Sequence, residues 1–162
     1  MPAQTVLIID DEEPVRDAVH FILEEAGFAV LEASDGGAGL ALLRASEVPL
    51  VVLLDLMMPG MSGIELLRAV AAEPALADRD AYIIFSAARA FSAPTLRFYL
   101  PGKRLFDLPK PFELDDLVAM VERAARQLDG ERAGDDGTAV VGVPTQAMGA
   151  EDTSGGTRDG TT

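Results

Sequence analysis

Three aspartates, a serine and a lysine in this chain each stand at the end of a short apolar run. Asp10 and Asp11 follow Val6-Leu7-Ile8-Ile9, and Asp55 follows Val51-Val52-Leu53-Leu54. Ser86 follows Tyr82-Ile83-Ile84-Phe85, and Lys110, with Pro111 behind it, closes the stretch that opens at Leu105. Carboxylates are hard oxygen donors of the kind that hold Mg2+, while an ammonium and a hydroxyl suit a phosphoryl group. Asp55 is the candidate nucleophile, able to attack phosphorus and form an acyl phosphate. Met57 adds a candidate neutral ligand through its backbone carbonyl. Each residue alone has an ordinary explanation: Asp10-Asp11 as a turn and helix cap, Ser86 as a common strand end. Asp55 is harder to explain that way, because a carboxylate ending a buried run needs a partner.

These residues share a site only if the intervening elements bring the run ends together. Apolar runs of four or five residues read as buried strands of a parallel sheet, whose carboxyl ends line one crevice. Helical patterns lie between them. Val15, Ala18, Val19, Ile22, Leu23 and Ala26 form one helix face, closed by Gly27. Residues 28–33 read as a second strand, and 35–44 as a short helix carrying Leu40, Leu42 and Leu43. Ser62-Gly63-Ile64-Glu65 has capping-box spacing and opens a helix to about Ala72. Between Ala87 and Arg104, Pro94 and Pro101 leave room only for a short helix starting at Pro94. Residues 113–128 form a final helix. The expectation is an α/β fold of five β-α units in three layers.

The 162-residue chain is 49% hydrophobic, as a globular domain is, and has no cysteine for disulfides or thiolate chemistry. No basic, apolar leader opens it, and no apolar run reaches the length that spans a bilayer. A cytoplasmic location without membrane contact is the expectation. Thirteen basic and 27 acidic residues give a net charge of −14, which opposes direct DNA binding. From Gly130 to Thr162 the chain carries 8 Gly and 6 Thr and no aromatic, Leu or Ile. That composition reads as a disordered acidic tail following a domain of residues 1–129, with Val140-Val141-Gly142-Val143 its one apolar patch.

The joint pattern resembles a response regulator receiver domain of bacterial two-component systems, of the chemotaxis-type single-domain kind. The resemblance covers about residues 4–128. It implies a flavodoxin-like, five-stranded parallel sheet of order 2-1-3-4-5 flanked by five helices. It further implies Asp55 as phosphoacceptor, Asp10 and Asp11 as the acidic pair holding magnesium, Ser86 as the switch hydroxyl, and Lys110 as the phosphoryl contact. The implied function is phosphorelay signalling, not enzymatic turnover. The implied phosphodonor is a sensor histidine kinase or a phosphotransfer protein, and the implied output passes through a downstream protein target. No output domain is legible, so a stand-alone monomer or weak dimer is expected. One departure concerns the aromatic that many receivers carry three residues before the lysine. Here that position is Asp107, and Phe106 lies one residue earlier, on the opposite strand face. The output surface is expected over Ala87 to Arg104 together with the final helix, without an aromatic switch at position 107 and with Phe91, Phe98 and Tyr99 as candidate contacts.

Other functions fit less well. Phosphohydrolases of the haloacid dehalogenase class place two aspartates one residue apart on the first strand, whereas Asp10 and Asp11 are adjacent. A nucleotide switch needs a Gly-x-x-x-x-Gly-Lys loop, which is missing here. A receiver-like module that never gains phosphate has no need of the whole Asp10/Asp11/Asp55/Ser86/Lys110 set. His20, within the first helix, reads as a surface or structural histidine.

Overall fold

A computed structural model describes residues 3–87, 93–98, 100 and 104–135. The elements run β1 (Thr5–Ile9), α1 (Glu13–Glu25), β2 (Ala29–Ala33), α2 (Gly36–Ala45), β3 (Leu50–Leu54) and α3 (Gly63–Ala71). They continue with α4 (Pro74–Ala77), β4 (Ala81–Ile84), α5 (Ala93–Leu96), β5 (Arg104–Asp107) and α6 (Leu114–Asp135). The five strands are parallel, in the order β2-β1-β3-β4-β5.

Every side chain of β1 from Val6 on, and all of β3 and β4, is buried, because helices cover both faces of the sheet. Alternation divides these strands between two cores. Leu7, Ile9, Val52, Leu54, Tyr82, Ile84 and Leu105 pack under α2, α3, α4 and α5. Val6, Ile8, Val51, Leu53, Ile83, Phe85 and Phe106 pack under α1 and α6. Phe106 therefore faces α6, with the Arg123 guanidinium 5.5 Å from its ring centroid. The expectation that it points away from the face used by position 107 holds.

Local signals set the helix ends. The Asp35 carboxylate caps α2 through the Ala38 N–H at 2.8 Å. Ser62 and Glu65 form the capping box of α3, with Glu65 N–H to Ser62 Oγ at 3.2 Å and Ser62 N–H to Glu65 Oε2 at 2.7 Å. Gly27, at φ 94°, turns the chain out of α1.

Three expectations need correction. Among the described residues the fold has six helical segments rather than five: α4, one turn opened by Pro74, precedes β4. Below β4, the fully buried Asp80 accepts the Leu50 N–H at 2.8 Å and the Arg79 guanidinium at 2.8 and 2.7 Å, which fixes that turn. The final helix does not stop at Leu128 but continues to Asp135. Glycines at 130 and 134 weaken a helix by about 1 kcal/mol each without breaking it, and no proline intervenes. The rest of the acidic tail, with Val140–Val143, lies outside the described residues, as do Phe91 and Tyr99. Finally, β5 ends at Asp107, so Lys110 stands in the loop beyond the strand rather than at its last position.

Candidate functional site

The register sets the strand ends level. Ile9 pairs with Leu54, Leu54 with Ile84, and Ile84 with Asp107. Asp10 and Asp55 directly follow β1 and β3, while Ser86 stands two residues past β4 and Lys110 three past β5, all at the same edge. Asp10 N–H donates to the Ala33 carbonyl at 3.2 Å, and Asp55 N–H to the Ile9 carbonyl at 3.0 Å. Phe85 N–H donates to the Leu54 carbonyl at 3.1 Å, and Lys110 N–H to the Ser86 carbonyl at 3.2 Å. Ladder hydrogen bonds thus continue past the strands and carry the polar residues with them.

Asp10, Asp11 and Asp55 each present a carboxylate oxygen, and these atoms lie within 4.8 Å of one another. Asp10 is fully buried and Asp55 nearly so, whereas Asp11 is exposed at the mouth. Asp10 Oδ1 accepts the Glu12 N–H at 2.9 Å, and its Oδ2 accepts Lys110 Nζ at 3.0 Å. The same ammonium lies 4.0 Å from Asp55 Oδ2. Met57 donates its N–H to Asp55 Oδ1 at 3.2 Å while its side chain is exposed. Ser86 is buried two residues beyond β4. The peptide bond between Lys110 and Pro111 is cis. Gly63, at the start of α3, lies close against the loop after Asp55, where any Cβ would press into the Asp55 carbonyl oxygen.

Electrostatics favours a cation here. Three carboxylates face one ammonium, and burial pushes the Asp55 carboxyl above its ordinary range. Lys110 and the Met57 amide pull it back down, and Asp10 and Asp11 push it up again. A hard divalent ion relieves that crowding, and an all-oxygen donor set suits Mg2+. Asp10, Asp11, Asp55, Met57, Ser86 and Lys110 come to this one edge, with Asp107 at the end of β5 level with Ile84.

Two contributors escaped the sequence reading. Arg16 reaches back from α1 to the Asp10 carbonyl at 2.7 Å and lies 3.7 Å from Glu32 on β2. Phe85 sits beneath Lys110, with its ring centroid 4.6 Å from Nζ. The only sequence signal for Phe85 was its place just before Ser86.

Residues 6–122 match the response regulator receiver domain family. The chain belongs to that family. It is 32% identical over 126 residues to the phosphate regulon transcriptional regulatory protein PhoB of Escherichia coli (strain K12), covering 78% of this chain and 53% of PhoB. It is 35% identical over 128 residues to the transcriptional regulatory protein FixJ of Bradyrhizobium diazoefficiens, covering 76% and 58%. The chain thus spans about half the length of these curated relatives. Among solved structures, a CheY-like receiver domain protein from Methanospirillum hungatei JF-1 superposes with a TM-score of 0.64 at 34% identity. That match covers 80% of this chain and 98% of the other. The receiver fold, with sheet order 2-1-3-4-5, is therefore established. Receivers serve phosphorelay signalling, partnering histidine kinases and downstream effectors and holding Mg2+ at an acidic pocket. Among the described residues no helix is long and apolar enough to cross a membrane.

Proposed function

We propose that this receiver accepts a phosphoryl group on Asp55 from a sensor histidine kinase or phosphotransfer protein. Its output is protein–protein contact, without enzymatic turnover of its own. The observation that carries this reading is Lys110 Nζ held 3.0 Å from Asp10 and 4.0 Å from Asp55 within the carboxylate cluster. Asp10 and Asp11, with Asp55 and the Met57 carbonyl, would hold Mg2+, which when bound supplies positive charge against the carboxylates and the phosphoryl oxygens.

A carboxylate oxygen of Asp55 attacks phosphorus as the donor's P–N bond breaks. The leaving imidazole nitrogen keeps that electron pair and takes a proton from solvent. Lys110 balances charge on the phosphoryl oxygens, and the Ser86 hydroxyl donates to one of them. The Met57 amide keeps Asp55 oriented for attack.

Downstream, the added charge of about −1.5 to −2 biases the chain that follows Ser86. Phe98, which is 87% exposed just past α5, is a contact for the target. With Asp107 where many receivers carry an aromatic, no inward-turning ring at that position relays the signal. The net charge of −14 favours a protein target over direct DNA binding, and its self-repulsion favours a monomer or weak dimer; the proposed setting is the cytoplasm.

Incubation with acetyl phosphate and Mg2+, followed by intact-mass measurement, tests the reading. One phosphoryl adduct is expected, abolished by Asp55→Asn and by chelation. Equal labelling of Asp55→Asn would refute it, and an unlabelled wild type would leave an interaction module that works without phosphate.

A further inference from the structure

Lys110 is held by more than carboxylates. Its ammonium lies over the Phe85 ring at 4.6 Å from the centroid, while one donor goes to Asp10 at 3.0 Å. Phe85 is fully buried in the core under α1 and α6. Its ring is braced by that of Phe112, 6.2 Å away and tilted by 53°. The backbone on either side is tied to the site's other members. Phe85 N–H donates to Leu54, the residue before Asp55, and the Ser86 carbonyl accepts the Lys110 N–H. The ring therefore keeps a fixed position relative to both Asp55 and Lys110.

We infer that Phe85 is a positioning residue, whose ring face seats the Lys110 ammonium between Asp10 and Asp55. This deepens the phosphoacceptor reading and rests on it. An aromatic face attracts a cation without offering a lone pair that competes for its N–H donors. Lys110 can therefore exchange Asp10 for a phosphoryl oxygen while remaining over the ring. An aliphatic residue of similar size would fill the same core volume but leave the long lysine stem free to swing toward solvent.

Two measurements on the full chain separate this role from simple core filling. The chain has only two lysines, Lys103 and Lys110, so isotope-labelled lysine gives a two-residue spectrum that Lys110→Gln assigns. The ε-methylene protons of Lys110 should be ring-shifted upfield in the wild type, and the shift should vanish in Phe85→Leu. An unshifted Lys110 in the folded wild type overturns the inference.

The second measurement places mono-, di- and trifluorinated phenylalanines at position 85, which keep the shape but drain the ring face of negative charge. The rate of Mg2+-dependent phosphorylation by acetyl phosphate should fall stepwise, about three- to tenfold over the series. In a Lys110→Gln background the series should be flat. A flat series in the wild type, with Asp55 still labelled, overturns the inference and leaves the phosphoacceptor reading standing. A wild type that is never labelled overturns that reading instead, while a ring-shifted Lys110 signal would still uphold its seating on Phe85.

Discussion

Lys110 and Asp10 are one hundred residues apart in the chain, yet Nζ donates to Oδ2 at 3.0 Å. Asp10 is fully buried, so this ammonium is the charge that makes its carboxylate tolerable before any cation binds. Lys110→Ala should therefore lower metal-free stability by about 1–3 kcal/mol, less than for a sealed ion pair, because the lysine is partly exposed. Saturating Mg2+ should raise the melting temperature more in this variant than in the wild type, since the ion no longer competes with lysine for Asp10. Thermal melts with and without Mg2+ check both parts, and an equal Mg2+ shift would disprove the competition.

Asp55 carries the opposite consequence. Burial raises its pKa above the ordinary value, so its ionised form costs the folded state free energy. That cost is present above the folded pKa and disappears as pH falls toward the unfolded value. Asp55→Asn should melt a few degrees above the wild type at neutral pH without metal, and the gap should close as the solution is acidified. A gap that widened in acid would mean that the pairing with Lys110 dominates over burial.

Asp11 stands exposed at the mouth of the pocket, where its removal disturbs packing least. Mg2+ at about one hundred times its dissociation constant should stabilise the wild type by about 2.7 kcal/mol, because it binds only the folded site. Asp11→Ala should lose most of that increment while keeping the metal-free melting temperature within a degree or two. Calorimetric titration with Mg2+ supplies the matching affinities. An undiminished shift would place the ion elsewhere.

Strand periodicity made most of this site legible in the sequence. Four apolar runs ending in Asp, Asp, Ser and, beyond β5, Lys could be aligned because parallel pairing levels their carboxyl ends. The same alternation set Phe106 and position 107 on opposite faces before any contact was known. Segments too short to have a period were not legible. Pro74–Ala77 is a single turn, held by an Arg79–Asp80 contact and by the N–H of Leu50, thirty residues away, donating to Asp80. The overrun of α6 was hidden by averaging composition over the whole tail. Phe85 counted only as an apolar strand residue, because nothing local to it says that a lysine twenty-five positions on will lie over its ring.

His20, which has no part in the pocket, joins α1 to the edge strand. Its Nδ1 lies 3.0 Å from Glu32 Oε2 and its Nε2 3.1 Å from Glu24 Oε1, while Arg16 approaches Glu32 at 3.7 Å. Partial burial disfavours the imidazolium, but the two carboxylates outweigh it and the pKa is raised. A raised histidine pKa gives stability that is fully present below the unfolded value and lost as pH rises through the folded one. His20→Ala should therefore lower the melting temperature at about pH 5.5 and have little effect at about pH 8.5, on either side of the imidazole range. Because Arg16 also holds the Asp10 carbonyl at 2.7 Å, the comparison should be repeated with Mg2+ present. A variant that loses as much stability at the higher pH would show that His20 acts through packing and not through its charge.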